Sequence, residues 1–320
     1  MSRVLFYFLI FFVVLGLNFF LPRLLPGDPL TALTGESDVV LTPEFRQELL
    51  ARYGLDQPLA AQFRLYLANL VRGDLGYSVH YQAPVSKIIA PALMWTAILC
   101  GLSFLASVCL GLLLGVELAW QRQRFWTASA VGGCLILEAL PGFLLGMFLL
   151  MIFSLKLGLL PFFGAMDFSA LPRGAGSAGG DLVRHLTLPA LTLVLGEAPG
   201  VALLVRNSAL KYIRAPFIMA ARSRGLGETR IKYRYLARNA LLPLITRLGL
   251  RFGFLWAGAL PVEVVFAYPG AGQLLFQALV KRDYPLLQGL LLISALAVLI
   301  GNALAEWGYR LADPRVKDQG

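Results

Sequence analysis

Long apolar segments alternate with polar segments along the whole chain. A helix needs about 20 mainly apolar residues to cross a bilayer core about 30 Å thick, and it satisfies its own backbone polar groups in lipid. The pattern therefore predicts an all-α integral membrane protein with six transmembrane helices in a single domain, residues 1–320. The predicted spans are 4–21, 96–119, 128–153, 186–205, 241–266 and 286–308.

The polar segments differ in charge, and this difference predicts the side of the membrane that each occupies. Residues 206–240 contain nine Lys or Arg and one acid, Glu228, whereas residues 23–94 contain six basic and seven acidic residues. Basic residues next to spans favour the cytoplasmic side. We therefore predict that 206–240 is cytoplasmic, that 23–94 and 156–184 are external, and that both termini are cytoplasmic.

The cytoplasmic segment contains a predicted short helix, Phe217 to Arg224. Pro216 suits the first turn of a helix, because its missing N–H would be unpaired there. Gly225 and Gly227 end the helix, since glycine adopts left-handed geometry without a Cβ clash.

A second cytoplasmic helix is predicted from about Glu228 to Leu241. On it Arg230, Arg234 and Arg238 recur every four residues and form one stripe. Like charges at this spacing repel one another on an isolated helix. The stripe therefore indicates an anionic neighbour, either lipid headgroups or an acidic partner protein.

Several shorter features refine the helices. We expect small helices at 42–53 and 57–71 in the long external loop, and another at 273–281. Pro189 and Pro199 are expected to break the fourth span, whereas Gly111-x-x-x-Gly115 in the second span allows close helix contact.

Composition excludes several classes of function. The chain is 58% hydrophobic and 14% charged, and its net charge of +10 is concentrated beside a span, which favours a membrane surface over nucleic acid. We find no phosphate-binding G-x-x-x-x-G-K-[ST], no H-E-x-x-H and no G-x-S-x-G. His80 and His185 are interpreted as surface residues and the three cysteines as packing residues, so no metal site is predicted.

An ordered set of motifs resembles one family of transport proteins. Ala220-Ala221, then Gly225, then Leu242-Pro243 resemble the EAA loop of ABC-importer permeases, with Met219 where that motif has Glu. The dipeptide, oligopeptide and nickel branch is closer still, and the match covers nearly the whole chain. Its further motifs here are LPGDPL (25–30), YGLDQPLAAQF (53–63), RGDLGYS (72–78), ARNALLP (237–243), VEVVFAYPGAG (262–272), RDYPLLQG (282–289) and ADPRVK (312–317).

The resemblance implies a permease subunit that forms half of a translocation pathway in a bacterial inner membrane. Its substrate would be a di- or oligopeptide, or alternatively nickel or another metal chelate. The implied partners are a second homologous permease, two ATPase subunits that bind ATP and Mg²⁺, an external substrate-binding protein and membrane lipid. The chain itself would hold no cofactor and would not be an enzyme. The implied ATPase-coupling residues are Phe217, Ala220, Ala221, Arg224 and Gly225.

Two functions from other classes are weighed against this one. A polytopic membrane enzyme would need a convergent acid, base and nucleophile, which the sequence does not supply. A passive channel would not need a helix that docks an ATPase.

Three charged residues near the predicted fifth span are candidates for the translocation pathway. Glu263 either lines the outer pathway or anchors the following loop. Arg247 is shallow enough to extend to headgroups. Arg251 either pairs with an acid such as Glu117 or Glu138, or presents its guanidinium to a substrate carboxylate.

Overall fold

The computed structural model describes residues 3–20, 57–78, 80–166, 175–241 and 258–312, together with Thr42, Glu44 and Gln47. These residues are almost entirely helical. The helices before the cytoplasmic segment are α1 (Arg3–Phe20), α2 (Leu59–Val71), α3 (Val85–Trp120), α4 (Phe125–Ala139), α5 (Gly142–Leu149, continuing as a π-helix through Leu150–Lys156) and α6 (Ala175–Tyr212). After them come α7 (Pro216–Ser223), α8 (Glu228–Arg230, continuing to residue 241 with a π-helical part, Ile231–Leu236), a helical stretch at 258–265, α9 (Ala271–Val280) and α10 (Tyr284–Ala312).

Three of the described helices are long and apolar enough to cross a membrane: Val85–Trp120, Gly179–Tyr212 and Tyr284–Ala303. The pair Phe125–Ala139 and Gly142–Lys156 makes a fourth if a helix bent by 105° is one span. The first predicted span, 4–21, corresponds to α1, an apolar helix of 18 residues. Most of the fifth predicted span, 241–266, lies outside the described residues, so the count of six stays a prediction.

The helices extend further than the hydropathy pattern indicates. α3 begins at Val85 rather than at residue 96, and α6 begins at Ala175 rather than at residue 186. Parts of both predicted external loops are therefore helical. Hydropathy detects only the length of a helix that is apolar, and a helix can continue beyond that length into polar surroundings.

Proline has opposite effects at different positions. α6 runs without a break through Pro189 and Pro199, contrary to the prediction. At Pro141, by contrast, the predicted third span bends, with Leu140 and Pro141 both in extended backbone conformations. Pro141 and its neighbours are exposed, whereas Leu188, Thr192 and the residues around Pro199 are buried. Packing therefore holds α6 together where a lone helix would be weakened.

The described chain divides into two compact units. The first comprises residues 1–96 and 269–299. In it α1 and α10 are joined by reciprocal hydrogen bonds: Asn18 Nδ2 donates to the Gln288 carbonyl at 2.9 Å, and Gln288 Nε2 donates to the Asn18 carbonyl at 2.6 Å. The Ala271 N–H donates to Thr96 Oγ1 at 2.8 Å and so satisfies one free donor at the start of α9.

A two-stranded antiparallel hairpin in the same unit, β1 (Tyr77–Ser78) and β2 (Ala83–Pro84), breaks the otherwise helical pattern. Ser78 Oγ donates a short hydrogen bond to Asp283, whose other oxygen accepts from the Leu286 N–H at the start of α10. Ser78 and Asp283 are both buried, and burial raises the pKa of the Asp283 carboxyl. The motifs RGDLGYS and RDYPLLQG, far apart in sequence, therefore meet here.

The second unit comprises residues 97–268 and 300–320. In it α3 and α6 approach closely at the predicted glycine pair. A Cβ built on Gly111 would lie 2.5 Å from Val201 Cβ, and one on Gly115 would lie 2.5 Å from the Ala202 carbonyl oxygen. The absence of both side chains lets the two helices touch, as small residues do in membrane interfaces.

Candidate functional site

The short helix α7 starts and stops where the sequence predicts. Pro216 occupies its first turn after an extended Ala215. It ends at Arg224, and Gly225 follows with a φ of +72°. No atom lies within 4 Å of the position where a Gly225 Cβ would be, so backbone geometry, not space, requires glycine here.

The two faces of α7 differ in exposure. Ile218 is fully buried and Ala221 is 3% exposed, because residues three apart share one face of a helix. On the outer face Met219 is 56% exposed, and Ala220 and Arg224 are exposed as well. α7 is therefore amphipathic, with one face in the core and the other exposed.

The predicted coupling residues divide between these faces. Ala220, Arg224 and Gly225 lie on the surface, and Phe217 is half-buried with its ring 6.4 Å from that of Tyr212. Ala221 is different, since its methyl group packs into the core of the chain itself. Ala221 therefore supports α7 from its inner side, and its role in ATPase coupling stays a prediction.

α7 and α8 pack onto the ends of α3 and α6 through one continuous apolar core. On α8 the predicted stripe Arg230, Arg234 and Arg238 is exposed, while the opposite face is buried. The core consists of Val116 and Ala119 of α3, Val201, Val205 and Ala209 of α6, Ile218 and Ala221 of α7, and Ile231, Leu236, Ala237 and Ala240 of α8. We call this assembly the coupling block.

Glu117, on α3, connects to the coupling block through hydrogen bonds. Glu117 accepts hydrogen bonds from Lys232 Nζ at 2.7 Å, Tyr233 Oη at 3.1 Å and Gln121 Nε2 at 2.7 Å. Partial burial and the hydrogen bond to this carboxylate raise the pKa of Tyr233, which keeps its hydroxyl a donor. Glu117 thus has a full set of partners, and none of those described is Arg251.

Trp120, at the last turn of α3, makes a second connection. Its Nε1 donates to Glu228 Oε2 at 2.8 Å, and its ring lies 5.1 Å from the guanidinium carbon of Arg222 and 5.8 Å from Lys232 Nζ. Arg222 also lies 3.9 Å from Glu228. Sequence reasoning missed Trp120, and it named Glu117 only as a possible partner of Arg251. The available signal for Glu117 was an acid near the end of an apolar helix, in a chain whose segment 206–240 contains nine basic residues.

The pathway candidates are only partly described. Glu263 lies in the stretch 258–265 and has no exposed surface. Its role in the translocation pathway stays a prediction. The Tyr268 N–H donates to the backbone carbonyl of Glu263 at 2.9 Å, which ties the following turn to the helix. Arg247 and Arg251 lie outside the described residues.

Among the described residues, no group of three or more His, Cys, Asp or Glu is placed to hold a metal ion. His185, interpreted from sequence as a surface residue, is half-buried, with its Nδ1 3.3 Å from the Asp181 carboxylate.

Comparison with known proteins agrees with this architecture. The family model described as "binding-protein-dependent transport system inner membrane component" matches residues 107–318. The chain is 36% identical over 325 residues to the di/tripeptide transport system permease protein DppB of Pseudomonas aeruginosa (strain UCBPP-PA14), covering 97% of this chain and 95% of that protein. It is 34% identical over 307 residues to the glutathione transport system permease protein GsiC of Escherichia coli (strain K12), covering 96% and 94%.

A solved structure shares the fold. The MetNI methionine ABC transporter, in inward facing conformations, matches with a TM-score of 0.50 and 18% sequence identity over 69% of this chain and 96% of the solved chain.

Proposed function

Because the chain belongs to the family of binding-protein-dependent transport system inner membrane components, we propose that it forms half of a translocation pathway for peptides of two or three residues. It is a permease subunit of an ABC importer, embedded in the membrane through several apolar helices. The observation that carries the peptide assignment is identity over nearly the full length to relatives named for di/tripeptide and glutathione transport.

The coupling block supports a role in transmitting ATP-driven closure. The outer face of α7, with Met219, Ala220 and Arg224, is the surface that docks an ATPase subunit, and the partner subunits bind ATP and Mg²⁺. Since α7 shares one core with α3 and α6, a displacement of α7 passes to both helices together. Trp120 and Glu117 add polar contacts to the α3 connection.

The remaining features of the assembly follow from the same proposal. A second homologous permease completes the pathway, and an external binding protein delivers the substrate. The segment 206–240 and both termini lie in the cytoplasm, because nine basic residues in that segment favour the cytoplasmic side.

The peptide assignment is tested by uptake into proteoliposomes. The chain is co-purified with its partner permease and ATPase subunits and reconstituted with enclosed ATP and an external binding protein. Labelled dipeptide, tripeptide, glutathione and a nickel chelate are offered separately. We expect uptake of a peptide or of glutathione that needs both ATP and the binding protein, whereas uptake of the nickel chelate alone would refute the assignment.

A further inference from the structure

The arginine stripe of α8 is a feature that ATPase docking through α7 leaves unexplained. Arg230, Arg234 and Arg238 are all exposed, while Ile231 and Leu236 anchor the other side of the helix in the core. In an α-helix, residues four apart drift around the axis by about 40° per step. The wider π-helical turn at Ile231–Leu236 counters this drift, so the three guanidinium groups share one outward face.

The contacts of the described residues do not account for the three charges. Within the described part of the chain, none of them makes an ion pair, a hydrogen bond or a contact with an aromatic ring. The nearest acid in sequence, Glu228, is occupied by Trp120 and Arg222. Three like charges aligned on one helix repel one another, and an external anion would relieve this repulsion.

The three arginines lie at different distances along α8 from residue 241, where the sequence predicts that the fifth span begins. At a rise of about 1.5 Å per residue, Arg238 lies about 5 Å, Arg234 about 11 Å and Arg230 about 17 Å before that point. The headgroup layer is roughly 5–8 Å thick on each side of a bilayer. With α8 directed along the bilayer normal into that span, Arg238 would lie within this layer and Arg234 at its edge.

We propose that the arginine stripe binds anionic phospholipid headgroups, with Arg238 making the strongest contact, Arg234 a weaker one and Arg230 the weakest. A guanidinium donates two parallel hydrogen bonds to a phosphate, and its long aliphatic stem allows the charge to extend along the helix into the headgroup layer. The contact sets the depth at which α8, and with it the coupling block, meets the membrane.

An acidic face of the ATPase is the other class of anion, and it predicts the opposite order. The ATPase approaches from the aqueous side, so it would contact Arg230 first and Arg238 last. The order of the three arginines therefore separates a lipid contact from a protein contact.

The experiment measures lipid selectivity in the purified, fully assembled transporter. Spin-labelled phosphatidylglycerol or phosphatidylcholine is added in nanodiscs, and the motionally restricted fraction gives the relative association constant of the anionic lipid. Arg238→Gln is compared with Arg230→Gln, the matched control on the same helix with the same loss of charge. Retention of the ATPase on the tagged permease is recorded for both.

We expect Arg238→Gln to lower the preference for phosphatidylglycerol about fivefold, Arg234→Gln to lower it less and Arg230→Gln to leave it nearly unchanged. Raising the salt concentration should weaken the wild-type preference. An unchanged preference in Arg238→Gln overturns the proposal. So does the reverse order, in which Arg230→Gln has the largest effect and ATPase is lost, because the stripe then faces a protein.

Discussion

At the scale of single residues, Gly115 decides how closely two membrane helices approach. Any side chain there would meet the Ala202 carbonyl oxygen at 2.5 Å and Val205 Cβ at 2.7 Å, and the carbonyl belongs to the backbone of α6, which cannot rotate away. Gly101, on the same helix, has no atom within 4 Å of a built Cβ. Of these two glycines, only Gly115 lies where a side chain would collide with a neighbouring helix.

We predict that Gly115→Ala lowers the stability of the permease by about 1–3 kcal/mol, because added volume at a packed contact forces the helices apart. Gly101→Ala, the matched control, should be neutral or slightly stabilising, since alanine favours helix. Thermal unfolding of the purified permease in detergent compares the two. Equal melting temperatures for both variants would show that α3 and α6 are not in contact at Gly115.

A second pair of residues tests the polar side of the coupling block. The side chains of Lys232 and Glu117 are 16% and 28% exposed and their charged atoms lie 2.7 Å apart. Arg222 and Glu228 lie 3.9 Å apart with side chains 53% and 64% exposed. Solvent weakens the second pair much more than the first.

A double-mutant cycle with Glu117→Gln and Lys232→Gln should give a coupling free energy of about 1–2 kcal/mol. The same cycle on Arg222 and Glu228 should give less than about 1 kcal/mol, as exposed pairs do. Unfolding free energies of the two single variants and the double variant supply both values. A coupling as small for the first pair as for the second would mean that Glu117 does not hold α8 to α3.

At the scale of elements, α7 is an amphipathic helix with a buried inner face and an exposed outer face. The inner face stabilises the coupling block through Ile218 and Ala221, and the outer face is exposed. Neighbouring alanines, Ala220 and Ala221, fall on opposite sides of this division.

We therefore predict different outcomes for the same substitution at the two alanines. Ala220→Leu should leave the melting temperature within a few degrees of wild type but reduce the ATPase retained on the tagged permease and abolish uptake. Ala221→Leu should lower the stability of the permease by about 1–3 kcal/mol, since core side chains already occupy the space that the larger leucine would need. If Ala220→Leu retains the ATPase and transports normally, α7 does not dock through its outer face.

At the scale of the whole molecule, membrane topology determines which surfaces meet which partners. The proposed topology places Ser223 in the cytoplasm and Lys156, at the end of the π-helical part of α5, outside. Both residues are exposed, and both lie outside the spans that the sequence predicts.

Single cysteines introduced in a cysteine-free background test this topology. An impermeant maleimide applied to intact cells should label Lys156→Cys and should not label Ser223→Cys until the cells are opened. Labelling of Ser223→Cys in intact cells would show that the orientation of the chain is the reverse of the proposed one. α7 could then not contact a cytoplasmic ATPase. Uptake by each unlabelled variant confirms that it assembles.

Hydropathy and turn chemistry act within a few residues, and they determined much of this protein. They predicted the helical membrane class, the limits of α7 to within one residue, the start of α8 and the alignment of its three arginines, because a 3.6-residue period and the geometry of Pro216 and Gly225 are local properties. The family resemblance likewise rested on ordered local motifs.

The tertiary structure decided the features that depend on packing between distant segments. Ala221 is buried because it packs in a core formed with α3 and α6. Glu117 accepts a hydrogen bond from Lys232, which is more than a hundred residues away in sequence. Pro141 bends its helix and Pro189 does not, although both lack the same N–H, because only the second is surrounded by buried neighbours. A local pattern indicates the free energy by which a residue such as proline destabilises a helix. Only the surrounding contacts determine whether packing offsets that destabilisation.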